Sequence, residues 1–318
     1  MTPAKAARIP FTRPKPRFMT RVPDGVLVVD KPGKATSHDI VAQARRVFGT
    51  REVGHAGTLD PMATGVLLLL FGEATKLSGF LTRDRKRYRA TVCFGRATDT
   101  LDADGQITEE VSLAPGHLSG AAIEAAFAVE RARRLQIPPA VSAIKVDGRR
   151  SYALARAGNA PELEAREVQV ERLLLIERSE QQLVLEVEAS KGYYVRALAR
   201  DLGASVGLPA HLGALRRLAS GRFELADAAP WPLDPTLPLL ATAEAARRAL
   251  PSATLNQSGE RRARLGQNVE LPDFSAPSLA PLLETVAWFG GSGELIALGH
   301  ERSPGEFRVV RGFRQIAG

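Results

Sequence analysis

The stretch GHAGTLDPMATGVLLLLF, residues 54–71, decides the reading of this chain. Residues 66–71 are a short apolar run, suited to a buried strand and far too short to span a membrane. Residues 54–65 read as a Gly-rich loop in which His55, Thr58, Asp60 and Thr64 sit among Gly54, Gly57, Pro61 and Gly65. Glycine lets backbone approach a ligand closely, and proline stiffens the turn that presents the carboxylate. Taken alone, such an Asp more often caps the next element, and a lone loop His is more often simply exposed.

Upstream, the β-branched run at 25–30 predicts a strand stopped by Lys31-Pro32-Gly33. Ile40, Val41, Ala44, Val47 and Phe48 then recur at helical spacing, with Ser37 as the expected N-cap and Gly49 as the stop. Downstream, residues 85–94 alternate, with Tyr88, Ala90, Val92 and Phe94 on one face and Arg87, Arg89, Thr91 and Cys93 on the other. That parity turns Tyr88 inward, so its hydroxyl needs a partner or an opening. Residues 183–190 alternate too, then turn at Lys191-Gly192 into a helix expected to end near Gly203. Strands and helices mix without regular βαβ spacing, which predicts an α+β fold on a mixed sheet.

Length and composition narrow the class. A chain of 318 residues suggests about two domains. The formal charge of +8 and pI near 10.0 favour a polyanionic partner. Cys93 is the only cysteine, which excludes an intramolecular disulfide or a Cys-rich metal centre and fits a reducing cytoplasm. The five histidines are scattered, so no metal site is expected, and no nucleotide-phosphate loop or serine elbow is present. Residues 1–22 carry six bases and no acid, and read as a flexible basic tail rather than a secretory signal. Pro230, Pro232, Pro235 and Pro238 mark a linker or domain edge. A small β-rich domain is expected after it, with a connection at 272–293 that has no clear assignment.

Two basic clusters carry chemistry or solvation. Arg83, Arg85, Lys86, Arg87 and Arg89 surround Asp84; this run is a phosphate-contacting face or merely a solvated one. Lys191-Gly192-Tyr193-Tyr194-Val195-Arg196 suits a base-stacking platform or ordinary packing. Arg131, Arg133, Arg134, Arg149, Arg150, Arg216 and Arg217 add basic density, whereas 161–188 holds eight Glu against three Arg. The residues alone therefore point to an RNA- or DNA-handling protein.

GHAGTLDPMATGVL, VDKP (29–32), RYRATVCFGRATDTLDADG (87–105) and SKGYYVRALARDLG (190–203) resemble the bacterial TruB family of tRNA pseudouridine synthases. QIPPAVSAIKVDGRRSYALARAG (136–158) resembles that family's RNA-gripping thumb. The resemblance implies isomerisation of uridine 55 in the T-loop of tRNA by base flipping, with no cofactor and no metal. It implies Asp60 as the catalytic aspartate, Tyr88 as the tyrosine that stacks on the uracil and moves a proton, and Arg196 as the aspartate's partner. It further implies that His55 enters the T-loop, that Tyr194 and Leu215 line the pocket, and that Lys31 and Pro32 match the family's Lys-Pro pair. A pseudouridine synthase catalytic domain over 23–235 and a PUA-like RNA-binding domain over 240–318 follow, the latter carried by residues 255–271 and 295–313. The implied setting is a cytoplasmic monomer acting on the T-arm of tRNA, with no membrane association and no obligate protein partner. An RNA-folding factor and a guide-dependent modifier are the competing readings.

Overall fold

A computed structural model describes residues 24–114, 116–142, 144–146, 148–151, 154, 161–275 and 285–314. The basic tail lies outside the described residues, as does about a third of the thumb-like segment.

The main sheet is built from β1 (Gly25–Lys31), β2 (Val53–Ala56), β3 (Thr64–Phe71), β4 (Lys86–Phe94), β5 (Val170–Arg178), β6 (Gln182–Ala189) and β7 (Ala210–Ser220). Its order is β1-β3-β7-β4-β6-β5, with β2 added on β3 and the short strand Phe223–Glu224 on β7. Only β3 and β7 run parallel, through Arg216 opposite Thr64 and Arg217 opposite Gly65; the remaining pairs are antiparallel. Mixed pairing is thus the arrangement expected from strands and helices that mix without regular βαβ spacing.

Both faces of β1 and β3 are buried, which explains their unbroken apolar runs. Leu27, Val29, Leu67, Leu69 and Phe71 share one core with α1 (Ser37–Val47), α2 (Gly120–Arg131) and α3 (Val195–Val206). Val26, Val28, Val66, Leu68 and Leu70 face a second core. That core is completed by Ala245 and Ala246 of α4 (Thr242–Ala249) and by Ala287, Phe289, Leu295 and Leu298.

These last residues belong to a five-stranded sheet of β8 (Ser252–Thr254), β9 (Val269–Glu270), β10 (Val286–Phe289), β11 (Leu295–Ser303) and β12 (Glu306–Gly312), in the order β8-β10-β11-β12-β9. Trp288, Phe274 and Phe307 meet edge to face on its other side. The connection at 272–293, unassigned in the sequence, includes β10. The Pro-rich stretch is not a free linker. Ala229 exchanges hydrogen bonds with Val28 and Asp30, and Leu240 with Val26, so it covers the outer edge of β1.

Three boundaries differ from the sequence reading. Thr36, not Ser37, caps α1 in a capping box with Asp39. Ser37 is instead buried, its hydroxyl accepting from Leu59 N–H at 3.0 Å and tying the loop to the helix. Helix α3 runs past Gly203 to a left-handed cap at Gly207. Gly203 is small for packing: a Cβ there would lie 2.7 Å from that of Ala210. Residues 53–56, the last three read as loop, form β2 on β3. Among the described residues no helix is long and apolar enough to cross a membrane.

Candidate active site

Loop 57–63 is held from behind by backbone-seeking cations. Lys31 is fully buried, and its Nζ donates to the carbonyls of Pro32 (2.9 Å), Ala35 (2.6 Å) and Pro61 (3.3 Å). Arg217 donates to Val66 O (2.6 Å), Gly57 O (3.0 Å) and Thr58 O (3.4 Å). Arg216 holds Thr64 Oγ1 at 3.1 Å and Asp30 at 2.6 Å. Gly65 makes the close approach possible, because its φ is +101° and a Cβ would lie 2.2 Å from the Arg217 carbonyl oxygen.

So braced, the loop presents Asp60 to Arg196 from the first turn of α3. The guanidinium grips the carboxylate at two points, Nε to Oδ2 at 2.9 Å and Nη2 to Oδ1 at 3.1 Å. Its remaining Nη1 donates to Thr100 O at 2.9 Å, and Asp102 Oδ2 lies 3.6 Å from Nε. A cation at a helix N-terminus opposes the helix dipole, and the two carboxylates offset this. Burial pushes the Asp102 carboxyl above its ordinary range, against the Thr100 hydroxyl, which donates to it at 2.6 Å. The intervening Leu101 holds a left-handed φ of 62°, a strained conformation that aims the Thr100 carbonyl at Arg196.

Asp60 and Arg196 open onto a cleft of about 290 Å³, also lined by Tyr88, Tyr194, Leu215, Lys86 and Arg217. The inward parity of Tyr88 therefore has its opening, and its hydroxyl also meets Arg217, its cross-strand neighbour. Tyr193 and Tyr194 divide their roles. Tyr193 is buried and donates to Glu130 at 2.7 Å, whereas the backbone of Tyr194 is clasped by the Gln136 amide.

Five of the eight site residues expected from the sequence thus share one cleft: Asp60, Tyr88, Tyr194, Arg196 and Leu215. Lys31 and Pro32 lie behind the loop, where Lys31 serves as a brace. His55 stands on β2 with its ring edge-on to His38 at 5.6 Å, and burial pulls its pKa below the ordinary histidine value. Arg85, Arg87 and Arg89 pair with Glu171, Glu224 and Glu186, which also accounts for part of the glutamate excess at 161–188. Asp102, Lys86 and Arg217 escaped the sequence reading as site residues. Lys86 was legible, since it shares the inward parity of Tyr88. Arg217 was not, because a bulge between Leu212 and Ala214 reverses the parity of β7.

Residues 45–195 match the model of the TruB family pseudouridylate synthase N-terminal domain. The chain is 50% identical over 214 residues to tRNA pseudouridine synthase B of Mycobacterium tuberculosis, covering 66% of this chain and 71% of that protein. It is 52% identical over 210 residues to the Mycobacterium avium protein of the same name, covering 65% and 67%. In fold it is similar to an H/ACA ribonucleoprotein bound to a substrate RNA containing 2′-deoxyuridine, with TM-score 0.68 and 20% identity over 92% of this chain and 85% of that one. A Cbf5–Nop10–Gar1 complex gives 0.67 and 22% over 92% and 84%. With half of the aligned residues identical and 71% of the Mycobacterium tuberculosis relative covered, this chain belongs to the TruB family of pseudouridylate synthases.

Proposed function

We propose that the cleft isomerises uridine 55 in the T-loop of tRNA to pseudouridine, without cofactor or metal. The observation that carries this reading is the carboxylate of Asp60, gripped at two points by Arg196 on one wall of a cleft whose other wall is Tyr88. The relatives' name, tRNA pseudouridine synthase B, supports the same substrate and product.

The target base cannot be reached inside a folded loop, so it is flipped out at a cost of a few kcal/mol. Stacking on Tyr88, in a pocket lined by Leu215, offsets that cost, while His55 fills the space the base leaves. Asp60 acts at the sugar–base junction as nucleophile or base. Arg196 orients it, and Tyr88 moves a proton at the base. Lys31 and Pro32 keep the loop in place, and Tyr194 closes the cleft. Residues 23–235 form the catalytic domain and 240–318 a PUA-like domain that adds RNA contact. The chain works as a cytoplasmic monomer with no obligate partner.

The test uses the purified chain and an isolated T-arm stem-loop tritiated at C5 of its uridines. Release of one tritium per stem-loop is expected. Tight binding with no release would favour an RNA-folding role or a guide-dependent modifier instead.

A further inference from the structure

The cleft holds more positive charge than its carboxylates answer. Arg196 is matched by Asp60 and Asp102. Lys86 and Arg217 are not, for among the described residues neither forms an ion pair. Their hydrogen bonds go to neutral groups. Lys86 Nζ donates to Thr82 O at 2.8 Å and Asp84 O at 2.6 Å, and Arg217 to the carbonyls of Val66, Gly57 and Thr58. Both are buried, at 7% and 1% exposure, and both line the cleft. Lys86 shares a face of β4 with Tyr88, and Arg217 lies opposite Tyr88 on β7. Asp84 and Asp60 favour these charges only from beyond ion-pair distance, and two buried cations without a paired carboxylate are costly to keep, unless the bound state supplies negative charge.

We propose that Lys86 and Arg217 form an anion site for the detached uracil, stabilising the charge that gathers on the base when its bond to the sugar breaks. This rests on the isomerase reading above. Scission of C1′–N1 sends the bonding pair to the base, where it spreads over N1, O2 and O4, and leaves C1′ electron-poor beside Asp60. After rotation C5 supplies the pair that forms C1′–C5. C5 then loses its hydrogen as a proton and N1 ends with one, so nothing is oxidised or reduced. Fixed positive groups aimed at charge that develops only during the reaction accelerate it without tightening ground-state binding. A backbone phosphate is the other anion the RNA offers. Its natural place is the exposed Lys191 at the same cleft, not the buried Lys86 and Arg217.

The test is single-turnover conversion of the T-arm stem-loop by the full chain, alongside stem-loop affinity and its salt dependence. Lys86→Met is expected to lower the rate about 10²-fold, in the range lost when one transition-state donor is removed. Its affinity should change less than about threefold, as for an interaction made only in the transition state. Lys86→Arg, which keeps the charge, is expected to recover most of that loss.

A second readout needs no variant. Burial pulls Lys86 down to about 8, with Arg217 and Lys191 disfavouring its proton and Asp84 favouring it. The cation is present below that pH and lost above it, so the rate should fall through about pH 8. In Lys86→Arg that fall should move up or vanish, even if Lys86→Met proves too unstable to assay. Lys86→Met turning over within about threefold of the unsubstituted chain would overturn the proposal, the transition-state contribution being then too small. So would a loss confined to affinity and salt slope, the signature of phosphate contact. Failure of the unsubstituted chain to turn over would instead remove the isomerase reading itself.

Discussion

Asp60 owes its position to contacts that no spacing rule displays. Its carboxylate meets a guanidinium 136 residues away in sequence, and that guanidinium is shared with Asp102. Arg196→Lys keeps the charge but replaces a planar fork with a point, so a rate loss of at least about tenfold is expected, with RNA affinity little changed. A variant that loses affinity and rate together would place Arg196 in RNA binding instead. The two depressed lysines, Lys31 and Lys86, both near 8, give a linkage of definite sign. Between about pH 8 and the ordinary lysine value of 10.5 the unfolded chain binds more protons than the folded one, so these lysines make stability rise with pH in that window. In urea titrations at pH 8 and pH 9.5, straddling most of that range, the gain should shrink in Lys31→Met. An unchanged gain would contradict the burial cost assigned to that ammonium.

At the scale of elements, the strands were largely legible and their ends were not. Alternation over β4 and β6 and the apolar run of β3 state their burial directly. The cap of α1 at Thr36 and the extent of α3 depend on which neighbour supplies a partner, which sequence alone does not reveal. Reversed parity after Gly213 hid Arg217 for the same reason. Backbone approach is a further case. At Gly65 a Cβ would sit 2.2 Å from the Arg217 carbonyl oxygen, whereas at Gly192, also with positive φ, nothing lies within 4 Å. Gly65→Ala should therefore cost more than about 2 kcal/mol, and Gly192→Ala only about 1 kcal/mol of left-handed strain. Chemical denaturation separates the two, and equal costs would refute the close approach of β3 and β7.

Across the whole molecule, one sheet carries the cleft while its reverse face is closed by the C-terminal strands. Sequence composition marked a boundary near residue 235 but could not show that the Pro-rich stretch docks on β1, because pairing partners carry no local signal. Lys76 reinforces the junction by donating to Gly312 O at 2.9 Å. Phe289, buried in the shared core beneath the Arg247 guanidinium at 3.6 Å, reports on that coupling. Phe289→Ala should cost about 3–5 kcal/mol. It should also leave a single calorimetric transition, and two separate transitions would show that the sheets fold independently.

The central claim is that Asp60 and its cleft convert one uridine of tRNA. Its most direct test maps pseudouridine by carbodiimide labelling and primer extension on an unmodified tRNA transcript after single-turnover incubation. One stop at the T-loop uridine is expected, absent with Asp60→Asn. Stops elsewhere, or an undiminished stop with Asp60→Asn, would contradict the account.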